Sequence, residues 1–391
     1  MKILIVSDSL AVGGGAEKFA VSLGNEFHEK NHEIYYLTSF DDANKYDFKG
    51  KYLTFNECRS KNILSKIKDF FIMSYKIKRI CEKNEIDIIL GVGEVANFRA
   101  ILSRYLFKNK VKVFASHHLY PETHKINIDR IKFLYPKADK VICVSKIIEK
   151  VLNEKYGLNN LLTIYNMIDL QSNLNKADNL PIEKYNNILT EKFVFINIGR
   201  LSFQKGQWYL LRSFKQVTNK YEDAKLFILG EGDLKLGLTE MIQELNLENN
   251  VFLLGNQGNV YPFLQMSKCF VLTSLFEGFP LTLIETLSMD LPIISVDCKT
   301  GPRECLCPHL DLDEKINYPY YGEYGILIES FEKKWKSSKD KLNNKEQILS
   351  DLMIKFIEDS NLRKNYSNGL KRAKNFDKNL IIDKWEKLFI E

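Results

Sequence analysis

Glu277 and Glu285 stand eight positions apart in the run Leu275-Phe-Glu277-Gly278-Phe279-Pro280-Leu281-Thr282-Leu-Ile-Glu285, one ahead of a helix and one inside it. Residues 268–273 read as a short buried strand, 281–288 as a helix and 293–296 as the next strand. In a unit of that order the loop lies at the carboxyl end of a parallel strand, where open α/β sheets bind their ligands, and Pro280 suits the first helical position. Along a helix axis the two carboxylates would be about 12 Å apart at ~1.5 Å per residue, so one can reach a sugar and the other a ribose. The unpaired amides after Gly278, with the positive end of the helix, then face a diphosphate. Leu281, Leu283, Ile284 and Leu287 make this helix apolar nearly all round, so Glu285 needs a polar partner.

Opposite charge follows another strand. Residues 193–198 lead into Gly199-Arg200-Leu-Ser-Phe-Gln-Lys205-Gly206 before a helix over 207–219. A guanidinium grips phosphate bidentately and an ammonium acts as a point charge, so Arg200 and Lys205 form a cationic clamp on a diphosphate. Two further strand ends, 226–229 before Gly230-Glu-Gly232-Asp233 and 251–254 before Gly255-Asn256, carry glycines that let main chain approach a flat base.

The first half repeats the alternation. A strand over 2–7 runs into Gly13-Gly14-Gly15 and a helix starting near Ala16, where bare backbone and free amides suit an anion or sugar hydroxyls. The dinucleotide fingerprint is not met, because no third glycine has the required spacing and the strand 33–38 does not end in an acidic residue. A strand over 111–115 delivers Ser116-His117-His118 at its end, and either histidine can exchange a hydrogen bond with a sugar hydroxyl. A strand over 140–144 delivers Ser145, a suitable helix N-cap. The fold class is therefore α/β, with Rossmann-like alternation in both halves.

Size and composition agree. The chain has 391 residues, 45% hydrophobic and 27% charged, enough for two domains with full cores. The first apolar run meets Asp8, and no stretch approaches the ~20 apolar residues of a membrane span, so a cytoplasmic protein is expected. Seven cysteines without a Cys-x-x-Cys pair read as reduced, buried thiols. A net charge of +6, with neither an RNA-recognition run nor zinc-finger spacing, argues against nucleic acid.

The run Glu277 to Glu285 resembles the signature of the retaining glycosyltransferases of family 4, and Gly-Arg-x5-Lys-Gly and the Gly-Gly-Ala-Glu string fit the same family. The resemblance spans nearly the whole chain. It implies the GT-B fold, two Rossmann-like domains facing across a cleft. The expected acceptor domain covers 1–175, a linker 176–191, the nucleotide-sugar domain 192–375, and a helix over 376–391 crosses back to the first domain. Carried over residue by residue, it implies that Arg200 and Lys205 neutralise the donor diphosphate, Glu277 holds the donor sugar, Glu285 the ribose and His117 the far side of the sugar, with His118 as the alternative. Gly14, Gly15, Gly199, Asn256, Gly278, Phe279, Pro280, Leu281 and Thr282 would line the donor. No cofactor and no metal are expected. The partners implied are a nucleotide-diphosphate sugar, UDP by family frequency, and a glycan or lipid-linked acceptor, as in bacterial polysaccharide, lipopolysaccharide or capsule synthesis. The rivals are an epimerase or hydrolase on the same fold and a non-catalytic nucleotide-sugar-binding module.

Residues 59–83 carry eight Lys or Arg against two Asp or Glu, interleaved with Ile63, Leu64, Ile67, Phe70, Phe71, Ile72, Met73 and Tyr75. They read as a basic amphipathic helix suited to an anionic membrane surface, which would make the protein peripheral at the inner face of the cytoplasmic membrane.

Overall fold

The computed structural model describes residues 1–12, 14–57, 63–121, 128–178, 185, 188 and 192–390. Gly13, Arg59, Lys61 and most of the expected linker 176–191 lie outside the described residues. The chain divides into two compact units, Met1–Met167 with Lys378–Glu391, and Ile168–Asp377.

The first unit holds seven strands: β1 (Lys2–Ser7), β2 (Glu33–Thr38), β3 (Lys51–Thr54), β4 (Ile88–Val92), β5 (Lys112–His117), β6 (Lys140–Cys143) and β7 (Leu161–Thr163). They lie in the order β3-β2-β1-β4-β5-β6-β7, and every pairing is parallel. Buried on both faces, the central strands need unbroken apolar runs, and β4 is buried at every position. Five helices cover them: α1 (Gly15–Glu29), α2 (Ile63–Asn84), α3 (Glu94–Tyr105), α4 (Ile128–Leu134) and α5 (Lys146–Tyr156). Ser145 caps α5, its side chain accepting from the Ile148 amide at 3.3 Å, as its place after β6 predicts. The closing helix, Lys378–Ile390, completes this core with Ile381, Ile382, Trp385, Leu388 and Phe389 packed among residues that include Phe27 and Phe114.

The second unit repeats the plan with β8 (Val194–Ile198), β9 (Lys225–Leu229), β10 (Val251–Gly255), β11 (Cys269–Leu272), β12 (Ile293–Val296), β13 (Tyr320–Tyr321) and β14 (Ile326–Ile328), ordered β10-β9-β8-β11-β12-β14-β13. Among the described residues only β13 is antiparallel, against β14. Helix α6 (Leu170–Ala177), which the sequence boundary at 175 splits between first domain and linker, groups with this unit. The Ile168 amide donates to the Phe376 carbonyl at 2.9 Å, and the Asn259 side chain donates to the Lys176 carbonyl at 2.7 Å. Those bonds tie both ends of the segment to the second unit.

In each sheet the chain runs outward to one edge and then returns to the middle, so order reverses between β1 and β4 and between β8 and β11. Carboxyl ends of strands diverge at such a point and leave a crevice. Gly14 and Gly15 follow β1, Arg200 and Lys205 follow β8 and Glu277 follows β11 at these points, whereas His117 ends β5 and Asn256 follows β10.

Candidate functional site

Arg200 and Lys205 follow β8, and Glu277 follows β11, so the clamp and the first carboxylate straddle the switch point of the second sheet. Asn197 in β8 helps set the two strands, its side-chain amide donating to the Val271 carbonyl at 2.7 Å. After β8 the chain makes one turn of tight helix, Phe203–Lys205, and stops at Gly206 with φ +60. A Cβ at Gly206 would lie 2.6 Å from the Thr273 carbonyl oxygen, so only glycine lets the Lys205 turn approach β11 this closely.

That approach brings opposite charges together. Lys205 Nζ lies 2.6 Å from Glu277 Oε1, with side chains 16% and 6% exposed. Gln204, the residue before the lysine, donates to Glu277 Oε2 at 3.2 Å and to the Phe276 carbonyl at 2.9 Å. The Thr300 hydroxyl donates to the Glu277 carbonyl. Both carboxylate oxygens and the main chain of Glu277 are thus held. Arg200 is exposed, and its carbonyl accepts from the Gln207 side chain at 3.0 Å, which anchors the clamp's other arm through its backbone.

The helix Leu281–Leu287 starts where expected, but Pro280 is not its first helical residue. Pro280 sits at its N-cap in extended conformation, so the proline, which has no N–H to offer, lies outside the helix, and the donors at this end begin with Leu281. Gly278, Phe279 and Pro280 are buried, with the Phe279 ring 5.5 Å from Phe376, while Leu281 and Thr282 are half-buried. The Thr282 hydroxyl is buried without a protein partner. Glu285 is buried at 4% exposure, and the Tyr261 hydroxyl donates to its Oε1 at 3.4 Å. Burial first, and the carboxylate second, raise the Tyr261 pKa, so it stays a donor. The partner required by an apolar helix is therefore supplied from the helix Tyr261–Met266. Gly199 lies against the Lys205 stem, where a Cβ would come within 3.2 Å, and Asn256 is exposed beyond β10.

In the first unit His117 is the last residue of β5, 3% exposed. Its Nδ1 lies 2.9 Å from the Tyr135 hydroxyl, which itself accepts from the Asn97 amide at 3.2 Å. With the hydroxyl proton directed at Nδ1, His117 Nε2 carries the N–H and is buried, and a hydrogen bond between the ring and the Leu119 backbone opposes the effect of burial. Burial lowers its pKa to about 4. His118 is half-buried, with Nε2 2.8 Å from the Ser116 hydroxyl and its ring edge-on to Phe19 at 4.6 Å. Burial and the neighbouring His117 lower its pKa to about 3. The turn before α1 is less open than its glycines suggest. A Cβ at Gly14 would strike the Glu17 carboxylate at 1.8 Å, so an anion there must displace that acid, whereas Gly15 faces open space.

Gln204, Tyr135 and Tyr261 are missed by sequence reasoning. Gln204 had a signal, standing inside the clamp motif; Tyr135 and Tyr261 are polar groups in apolar segments with no spacing to mark them. Thr300 stands in the run Thr300-Gly301-Pro302-Arg303-Glu304, which resembles a variant of the family, but its bond to Glu277 is not legible there. The expectation that no metal is needed leans on a chain without an Asp-x-Asp triplet, and that premise is incorrect: Asp311-Leu-Asp313 is such a triplet, with both aspartates exposed. Among the described residues no group of three or more His, Cys, Asp or Glu could hold a metal ion.

Two α/β units, each built on a parallel sheet whose order reverses in the middle, are the architecture of the GT-B glycosyltransferases. The model for Glycosyltransferase Family 4 matches residues 13–172, and that for Glycosyl transferases group 1 matches 179–312. An uncharacterized glycosyltransferase of Methanocaldococcus jannaschii is 45% identical over 381 residues, covering 93% of each chain. The N-acetylgalactosamine-N,N'-diacetylbacillosaminyl-diphospho-undecaprenol 4-alpha-N-acetylgalactosaminyltransferase of Campylobacter jejuni is 31% identical over 378 residues, again 93% of each. Among solved structures, Anabaena HepE in complex with UDP has a TM-score of 0.76 over 99% of both chains at 18% identity, a likeness of fold. The chain belongs to glycosyltransferase family 4.

Proposed function

We propose that this glycosyltransferase moves a hexose or N-acetylhexosamine from a UDP-type nucleotide sugar to a glycan or lipid-linked saccharide, with retention at the anomeric carbon and no metal ion. The observation that carries the reading is the Lys205–Glu277 contact at the switch point of the second sheet. There an ammonium and a carboxylate are held for exchange against the two ends of a sugar diphosphate. In this reading the diphosphate draws Lys205 and Arg200, whose charge stabilises the leaving group as a fixed electrostatic contribution. Glu277, released from the lysine, takes sugar hydroxyls. Glu285 takes the ribose diol, and the Nε2–H of His117 donates to the sugar. The bond from the anomeric carbon to phosphate oxygen breaks, a bond to the acceptor oxygen forms on the same face, and the acceptor proton passes to the departing phosphate. No protein nucleophile is assigned.

Names of relatives support the acceptor class: the Campylobacter jejuni enzyme is named for a diphospho-undecaprenol acceptor, and a 24% identical Salmonella typhimurium relative is a lipopolysaccharide 1,6-galactosyltransferase. HepE was solved with UDP, which supports the base. Residues 59–83 would bring the enzyme to the inner face of the membrane, beside a lipid-linked acceptor; no described helix is long and apolar enough to cross it. The test is a nucleotide-release screen with UDP and GDP sugars and lipid-linked acceptors, followed by the anomeric configuration of the product. Acceptor-dependent release with a retained anomer is expected. Inversion would sink the mechanism, and donor binding without acceptor-dependent release would favour a non-catalytic module.

A further inference from the structure

We propose that the loop after β12, residues 297–301, is a brace that sets Glu277 and the Gly278 amide against the donor, with Thr300 as the positioning residue and the Asp297–Arg303 pair as its anchor. The brace meets the 277–280 turn at both ends. At one end the hydroxyl of Thr300, a residue 1% exposed, donates to the Glu277 carbonyl. That carbonyl and the Gly278 N–H belong to one planar peptide, so a bond on the oxygen also fixes the direction of the amide. At the other end Gly301, with φ +94, lies so close that a Cβ would stand 2.2 Å from Pro280 Cδ. A side chain there would push the two turns apart.

The loop is fixed where it begins. The Asp297 amide donates to the Ile328 carbonyl at 2.8 Å, its carbonyl accepts from the Ser330 hydroxyl at 2.6 Å, and its Oδ2 accepts from the Tyr318 hydroxyl at 2.7 Å. Arg303, on the helix Pro302–Leu306 that follows the loop, returns to the same carboxylate. Its Nε and Nη2 donate to Asp297 Oδ2 at 3.2 and 2.5 Å, with the two side chains 15% and 4% exposed. Its Nη1 donates to the carbonyls of Asp311, Leu312 and Glu314 at 3.1, 3.1 and 2.8 Å. A planar guanidinium engaged at all three nitrogens holds one geometry, so the two ends of the loop are pinned to each other and the Thr300 hydroxyl is delivered to one place. In the sugar-transfer reading, on which the assignment to the donor rests, the Glu277 carboxylate gives up Lys205 when the diphosphate arrives. The bond from Thr300 is to main chain and survives that exchange, so Glu277 and the Gly278 amide keep their direction while the carboxylate changes partners.

The test compares the full chain with Thr300→Val, which loses the hydroxyl, and Thr300→Ser, which keeps it, using UMP, UDP-glucose and UDP-N-acetylglucosamine as calorimetric probes. Thr300→Val should bind UMP as the parent does and the better UDP-sugar about tenfold more weakly, and Thr300→Ser should recover the parent affinity. Arg303→Lys, which keeps the charge and loses the planar joint, should weaken the UDP-sugar about threefold. A second readout needs no ligand: in urea unfolding, the coupling between Lys205→Met and Glu277→Gln should fall at least about fivefold in the Thr300→Val background and return with Thr300→Ser. A threonine that only fills space would lower the melting temperature and leave both the coupling and the ratio of UDP-sugar to UMP affinity unchanged, and that result would overturn the brace. A parent chain that binds none of the three nucleotides would sink the donor reading instead, with the coupling still deciding whether Thr300 sets Glu277.

Discussion

Removing the ammonium of Lys205 should destabilise the second unit through a carboxylate that never leaves its place. In Lys205→Met the Glu277 side chain, 6% exposed, loses a partner at 2.6 Å and keeps only the Gln204 amide at 3.2 Å. Breaking a buried pair on one side costs about 3–5 kcal/mol. The lysine is 16% exposed and Gln204 remains, so the loss should fall to about 2–3 kcal/mol, or a melting temperature lower by roughly 5–10 °C for a unit of this size. Glu277→Gln in the same background removes the stranded charge and should recover about 2 kcal/mol, a coupling readable in a double-mutant cycle. Urea unfolding can be followed through Trp208 and Trp335 of this unit, whose rings lie 4.9 Å apart. If the two single variants and the double variant add independently, the pair is not the buried, coupled one described and the reasoning fails.

Because burial holds His117 near a pKa of about 4 against 6.5 when unfolded, the unfolded state takes up the proton first; stability is full above pH 6.5 and declines as pH falls to about 4, by up to about 3 kcal/mol, and His117→Gln should flatten that decline in unfolding measured against pH. Arg212→Met should destabilise the second unit by about 3–5 kcal/mol, since its guanidinium meets Glu346 at 2.6 Å with both side chains at most 2% exposed, yet UDP affinity of the folded protein should not change in calorimetry. Gly206→Ala should cost about 1–3 kcal/mol and slow transfer, because a Cβ at φ +60 meets the Thr273 carbonyl and pushes the Lys205 turn away from Glu277.

Much of this architecture can be read from the chain. Runs such as Lys2–Ser7, Glu33–Thr38 and Ile293–Val296 carry the continuous apolar signal of strands buried on both faces, and their bounds match expectation. The short edge strands Lys51–Thr54 and Leu161–Thr163 escape notice because a few half-exposed residues give no such run. At the site, Arg200, Lys205 and Glu277 declare themselves by charge after strand ends, and Glu285 by charge in an otherwise apolar helix. Their partners do not. Tyr261 reaches Glu285 from a segment whose neighbours Pro262, Phe263 and Leu264 read as core, and Tyr135 reaches His117 across the interval between two strands, contacts that only tertiary packing creates. The direct contact between Lys205 and Glu277 was equally hidden, because spacing along the chain says which strand ends carry charge but not that the two groups touch.

The sugar diphosphate is proposed to bind at the Lys205–Glu277 contact. A crystal structure with a nucleotide sugar bound tests this most directly. The diphosphate is predicted beside Lys205 Nζ, with Glu277 parted from the lysine and turned to the sugar and Glu285 on the ribose diol. A donor bound elsewhere, with the Lys205–Glu277 pair still closed at 2.6 Å, would contradict it.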